Sequence, residues 1–182
     1  MNSNRTQMMQ IQSEARDDKV IEVKIASTDI PILRESDVLV RIEAAPINPS
    51  DLGLLFGPAD MDNAQYSSDS GSPSIKAPIP SHLMSGIEGR IGQNLPVGNE
   101  GAGIVVSAGE SEEAQALIGK VVGFSGGGAY SEYKAVRANQ CIAMPDGTSP
   151  AQSASCFVNP MTVLGFVGTM RREGHSAIVH TA

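Results

Sequence analysis

The chain has no tryptophan, and only 4% of its residues are aromatic. That scarcity argues against stacking platforms for bases or sugars. Its two cysteines, Cys141 and Cys156, are too few for a disulfide framework or a four-thiolate zinc site. They read as reduced, buried thiols. Basic runs are also scarce: the densest is Arg171-Arg172, within a balance of 13 basic to 20 acidic residues and a formal charge of −7. No stretch can track a phosphate backbone, so nucleic acid is not an expected partner. No run approaches the roughly 20 apolar residues of a membrane span. The first residues, Met1 to Gln7, lack the apolar core of a secretory signal. The expected setting is the cytoplasm, with no membrane partner.

What is present is apolar mass and many turns. Hydrophobic residues make up 41% of 182, enough for a sizeable core, and 19 glycines with 11 prolines suit a mainly β domain with short helices. Lys19 to Ala26 and Asp37 to Ala45 are β-branched and roughly alternating, and both predict strands. Pro46 to Asp51 breaks the second, and Ser50 or Asp51 could cap a short helical turn through Leu52, Leu54 and Leu55. The Ser-, Asp-, Pro- and Gly-rich stretch 57–96 predicts a long loop or insertion, mobile or acting as a lid. Strands are expected again at Ile104 to Gly109, Lys120 to Phe124, Ala129 to Val136 and Cys141 to Met144. Five or six such strands suggest a small, partly open barrel.

The tail changes character. Asn159 can cap a helix, Pro160 suits its first position and Gly174 its end, with Val163, Phe166, Val167 and Met170 at helical spacing between them. His175 to His180 then reads as a strand opening a new layer. A lone strand of that kind has no partner, so the chain is expected to be part of a longer protein, cut by truncation or proteolysis. The predicted division is 1–158 for the barrel and 159–182 for a connecting helix and strand.

Gly98-Asn99-Glu100-Gly101-Ala102-Gly103 precedes a strand instead of following one, which argues against a phosphate cradle. Order is more telling than any single motif. Asn48-Pro49-Ser50-Asp51, then Gly98 to Gly103, Gly128-Ala129-Tyr130-Ser131-Glu132-Tyr133 and Asn159-Pro160-Met161-Thr162, then a helix, resemble the medium-chain dehydrogenase/reductase superfamily. The quinone oxidoreductase and enoyl-thioester reductase branches are the most similar. The resemblance runs from about Val20 to the last residue, apart from 57–96.

It implies a GroES-like, partly open β-barrel as catalytic domain. The helix and strand that follow would lead into a Rossmann domain missing here, with a later segment returning to complete the barrel. It also implies NADPH, or NADH, bound mainly by that missing domain, a small quinone or enone substrate, and a homodimer when full length. Zinc-dependent members place Cys where Asn48 stands and His where Asn99 stands. Amides are poor zinc ligands, so no catalytic zinc is expected. Hydride transfer then needs donors for the developing oxyanion. Asn48 and Ser50 match positions lining the nicotinamide pocket, and Thr162 matches a threonine beside the nicotinamide. Each could equally be capping its own turn. Glu100 is expected to anchor the domain, and Tyr130 and Tyr133 to line the barrel. Enoyl-thioester reductases carry a proton-donating tyrosine soon after the Asn-Pro-Ser-Asp stretch; Phe56 to Ala59 has none, leaving Tyr66 as the candidate acid.

The expected activity is therefore zinc-independent, NADPH-dependent reduction of quinones or α,β-unsaturated carbonyls by the full-length protein, with these 182 residues alone inactive. The alternatives are an enoyl-thioester reductase of fatty acid synthesis, a non-enzymatic GroES-like binding module, and a zinc alcohol dehydrogenase with displaced ligands.

Overall fold

A computed structural model describes residues 6–68 and 72–180. Two five-stranded antiparallel sheets account for most of it. The first contains β1 (Gln7–Ala15), β2 (Val20–Asp29), β4 (Gln65–Ser67), β5 (Ser74–Pro78) and β6 (Asn94–Pro96), in the order β4-β5-β2-β1-β6. The second contains β3 (Asp37–Ala44), β7 (Glu100–Ala108), β8 (Val121–Ser125), β9 (Tyr133–Arg137) and β10 (Cys141–Ala143), in the order β10-β8-β7-β3-β9. The helices are α1 (Pro49–Leu55), α2 (Glu112–Gln115), α3 (Pro150–Ser153) and α4 (Val158–Arg172).

Each sheet buries one face, and the alternation in β2 and β3 is the reason. Ile21 and Val23 point into one core with Ala15, Leu55, Ile79 and Val97. Val38 and Val40 point into the other with Val105, Val122, Phe124 and Val136. The sheets are stitched along one seam by Tyr130 to Glu132. Ile11 N–H donates to Tyr130 O at 2.8 Å and Glu132 N–H to Met9 O at 3.0 Å, while Ile42 N–H donates to Glu132 O at 2.9 Å. A segment shared by both sheets curls them towards each other, giving the partly open barrel that the turn-rich composition suggested.

Several expectations are corrected. The stretch 57–96 is not a plain loop: it holds β4, β5, β6 and a 3-10 segment, Ser81–Arg90. Ile75 and Ala77 face Val23 and Ile21 across the ladder, but strands of three to five residues flanked by Pro and Ser carry too little periodicity to be read. β1 was missed because its core-facing series Ile11, Ser13 and Ala15 is interrupted by a serine and ends in a small residue, so little apolar alternation shows against Gln10, Gln12 and Glu14 on the other face. The five or six strands expected become ten among the described residues. In the tail, α4 begins at Val158, one residue before the expected cap, and Gly174 adopts φ +70° just past its end as a terminator should. His175 to His180, expected as a strand, form none. His180 instead lies against Phe166, ring centroids 6.1 Å apart.

Among the described residues no helix is long and apolar enough to cross a membrane. Phe124 is fully buried at the centre of the β3/β7/β8 core. Phe124→Ala should cost about 3–5 kcal/mol, read as a fall in the urea midpoint at unchanged slope.

Candidate active site

Two positions where the backbone must pass close to its neighbours build the site's frame. Gly103 lies where the β3/β7 register slips between Ile42 and Ala44, and a Cβ there would sit 1.9 Å from Arg41 O. Gly98, at φ +96°, turns the chain so tightly that a Cβ would stand 2.7 Å from Tyr130 N. Only glycine meets either demand. Together they deliver Asn99 and Glu100 to the end of β7, facing the first turn of α1.

That turn is organised by a buried carboxylate. Asp51 is 0% exposed; it accepts from Asn48 N–H at 2.7 Å and from Asn99 N–H at 2.8 Å. Asn48, not Ser50 or Asp51, is the residue preceding the helix, and Pro49 fills its first position. Asp51 near the helix start also suits the dipole. Beside it, Tyr130 donates its hydroxyl to Pro46 O at 2.8 Å. Burial pushes this phenol up to about 12, with the Asp51 charge adding to the effect.

Glu100 is the second buried carboxylate, 1% exposed. One oxygen accepts from Asn48 Nδ2 at 3.0 Å. The other accepts from Phe157 N–H and Val158 N–H, both at 2.9 Å. These are unpaired donors at the start of α4, so Glu100 caps that helix from a distance. This explains why α4 starts before Asn159. The same charge, after burial itself, helps raise the Cys156 thiol above its ordinary value.

The sequence-nominated residues are not all gathered. Asn48 is buried within this network. Ser50 is exposed, and its oxygen accepts from Asn99 Nδ2 at 2.9 Å. Thr162 is exposed on α4, with its hydroxyl donating to Val158 O at 2.9 Å. Tyr66 lies elsewhere. It is 75% exposed on β4 and is linked through Ile75 and Val23 to Ser13, three strand spacings or about 14 Å away. Ser13 donates its hydroxyl to Leu55 O at the end of α1. Asp51 had been read only as a helix cap and Asn99 only as a replaced ligand; the contact between them spans 48 positions, which no local pattern reveals. Among the described residues no three His, Cys, Asp or Glu side chains are placed to hold a metal ion.

Alongside the network runs an apolar trough of about 640 Å³, bordered by Ala45, Ile47, Phe56, Ala129 and Tyr130 and floored by Ile11 and Val23. A GroES-like half-barrel with a polar cluster at the mouth and an outgoing helix tied to it defines the catalytic-domain class of the medium-chain reductases. The chain belongs to the alcohol dehydrogenase GroES-like domain family, whose model matches residues 34–146. It is similar to mouse prostaglandin reductase-3, with 29% identity over 116 residues, covering 64% of this chain and 23% of that protein. In structure it resembles a protein assigned as an NADPH:quinone reductase from Mesorhizobium loti, with TM-score 0.63 and 23% identity, covering 94% of this chain and 46% of that one. It also resembles one so assigned from Bacillus thuringiensis, with TM-score 0.59 and 25% identity, covering 91% and 41%. The chain thus spans less than half of each of these relatives.

Glu100→Gln would turn an NH₂ towards either Asn48 Nδ2 or the two helix N–H groups, donor against donor. It should cost about 2–3 kcal/mol and speed hydrogen exchange at Phe157 and Val158. A second expectation concerns pH. The Tyr130 phenol is raised in the folded state, so the stability it contributes is complete below the ordinary phenol value of 10.0 and is lost as pH rises towards about 12. Ultraviolet titration should show a tyrosinate step near 12 that Tyr130→Phe removes.

Proposed function

We propose that this chain is the substrate-side part of a zinc-independent, NADPH-dependent oxidoreductase that reduces quinones or α,β-unsaturated carbonyls. One observation carries the reading. Ser50 is an exposed hydroxyl whose oxygen is already occupied by the Asn99 amide, and its own proton has no acceptor among the described residues. Such a hydroxyl is oriented and ready to donate, as an oxyanion formed by hydride transfer requires. Asn48 serves beside it by holding Glu100, and so the start of α4, in place.

The residues present suit a nicotinamide at this edge. Ser50 and Thr162 are exposed hydroxyls on two helices whose first turns meet at Glu100. When bound, NADPH (or NADH) supplies the hydride; Thr162 and Asn48 are the residues of this chain that would border it. Asn48 and Asn99 stand where thiolate and imidazole would be needed for zinc, and amides bind zinc weakly. The apolar trough beside Ile47 suits the carbon skeleton of a small quinone or enone. The family relatives named above support a nicotinamide-dependent reduction, and the remaining cofactor contacts belong to a further domain. The reading extends to a homodimeric, cytoplasmic whole protein and to inactivity of the 182 residues alone. Tyr66, exposed on β4, is the candidate proton donor of the enoyl-thioester alternative.

The test is Ser50→Ala in the full-length protein, assayed with NADPH against a panel of quinones, enones and enoyl thioesters. Turnover should fall by about 100-fold, the scale of losing one oxyanion donor, with the melting temperature unchanged. Full turnover by the variant would remove Ser50 from the mechanism. A preference for enoyl thioesters would move the protein to fatty-acid chemistry.

A further inference from the structure

α1 bears the candidate site on its first turn, but it is a helix of seven residues with only Asp51 and Leu55 buried. A helix that short does not hold itself, and two buried residues do little to fix its orientation. Its ends must do so. Asp51 secures the first turn. The last turn is secured by groups from two distant parts of the chain.

Arg90, closing the Ser81–Arg90 segment, donates Nη2 to Leu54 O at 2.7 Å and Nη1 to Gly53 O at 3.4 Å. Nη2 also donates to Ser13 Oγ at 3.3 Å, and Ser13, fully buried on β1, donates its hydroxyl to Leu55 O at 2.7 Å. Three successive carbonyls of α1 are thereby met. Arg90 forms no salt bridge among the described residues. Its Nε is buried without a hydrogen-bond partner, and burial lowers its guanidinium from the ordinary value. A cation with a bare buried donor and no carboxylate is a poor choice for packing alone. Placed on the carbonyls of a helix's last turn, it matches the negative end of the dipole, as Asp51 matches the positive end.

We propose that Arg90 is a positioning residue for the candidate site: by clamping the last turn of α1, it sets where the first turn presents Asn48, Ser50 and Asp51. The 57–96 stretch, which reads in sequence as a long mobile loop or a lid, would then be a structural buttress of the chemistry. The kinetic part of its test rests on the reductase reading; the exchange part does not.

The exchange part follows the Asn99 amide, which is bound by Asp51 at the opposite end of α1 and does not touch Arg90. In Arg90→Met, Asn99 exchange should accelerate about tenfold through local opening while the β8 amides keep their rates. Unchanged exchange at Asn99, or equal acceleration across β8, would overturn the proposal. Should Arg90→Met fail to fold, Arg90→Lys serves. An ammonium reaches fewer of the three acceptors' directions than the planar fork, so exchange at Asn99 should rise about threefold; no change would again overturn it. In the full-length enzyme, Arg90→Met should lower kcat about tenfold with the nicotinamide KM within about twofold, and Arg90→Lys should recover most of it. An unchanged kcat well below the melting temperature would reduce Arg90 to a stabilising contact. A wild-type enzyme without reductase activity would sink the functional reading, and the exchange result would still decide the positioning role.

Discussion

The Glu100 carboxylate is the interaction on which the rest of this structure depends. A buried charge ordinarily needs an opposite charge beside it, and none is ion-paired with Glu100 among the described residues. It is solvated instead by three N–H donors: one from the Asn48 side chain and two from the backbone opening α4. Peptide dipoles cost no side-chain entropy and carry no net charge, so the carboxylate can be neutralised in effect without a second ion being buried. The result is that three chain segments far apart in sequence share one atom group. β7 supplies the charge, the β3–α1 connection is fastened to one oxygen, and α4 departs from the other. Asp51 repeats the device next door, taking backbone N–H groups from Asn48 and Asn99.

Much of the frame was legible because it depends on local pattern. β2 and β3 announced themselves by alternating Val and Ile, and Gly174 marked the end of α4 within a residue of where it falls. The resemblance carried by Asn48 to Asp51, Gly98 to Gly103 and Gly128 to Tyr133 nominated Asn48 and Ser50, and the hydrogen bonds of Asn48 to Glu100 and of Asn99 to Ser50 join two of those motifs. What stayed hidden depends on distance along the chain. Glu100 could be read as an anchor, but not what it anchors, because its partners at Phe157 and Val158 are 57 and 58 positions away. Arg90 carried no signal at all: an arginine among Gly, Glu and Ile looks like a solvated side chain until α1 is placed against it. Tyr66 was nominated for its chemistry and proximity in sequence, and the ladder sets it on β4, three strands along from β1.

The division of labour within the half-barrel is physical as well as topological. Its core-facing residues are ordinary Val, Ile and Phe, and they fix the sheets without regard to chemistry. The polar groups gather instead at the open ends of strands and the first turns of helices, where unpaired backbone donors are already available. α4 is the exception to compactness. None of its residues is buried, although Met161, Val163 and Leu164 are all apolar and outward-facing. Its tie to the barrel is electrostatic and confined to its first turn.

The placement of strands within each sheet bears on how this chain avoids sticking to itself. β4, β6 and β10 are three residues each, and all are outermost. They leave few free peptide groups for a stranger to pair with, whereas β1 and β2, at nine and ten residues, lie inside. The β4–β5 pair therefore acts as a bumper. A nick or slippage that peeled it away would turn β2 into a long, apolar-faced border strand, the kind of template on which amyloid-like stacking begins. Proteolysis between β4 and β5 would favour aggregation while leaving Asn48, Ser50 and Thr162 in the chain.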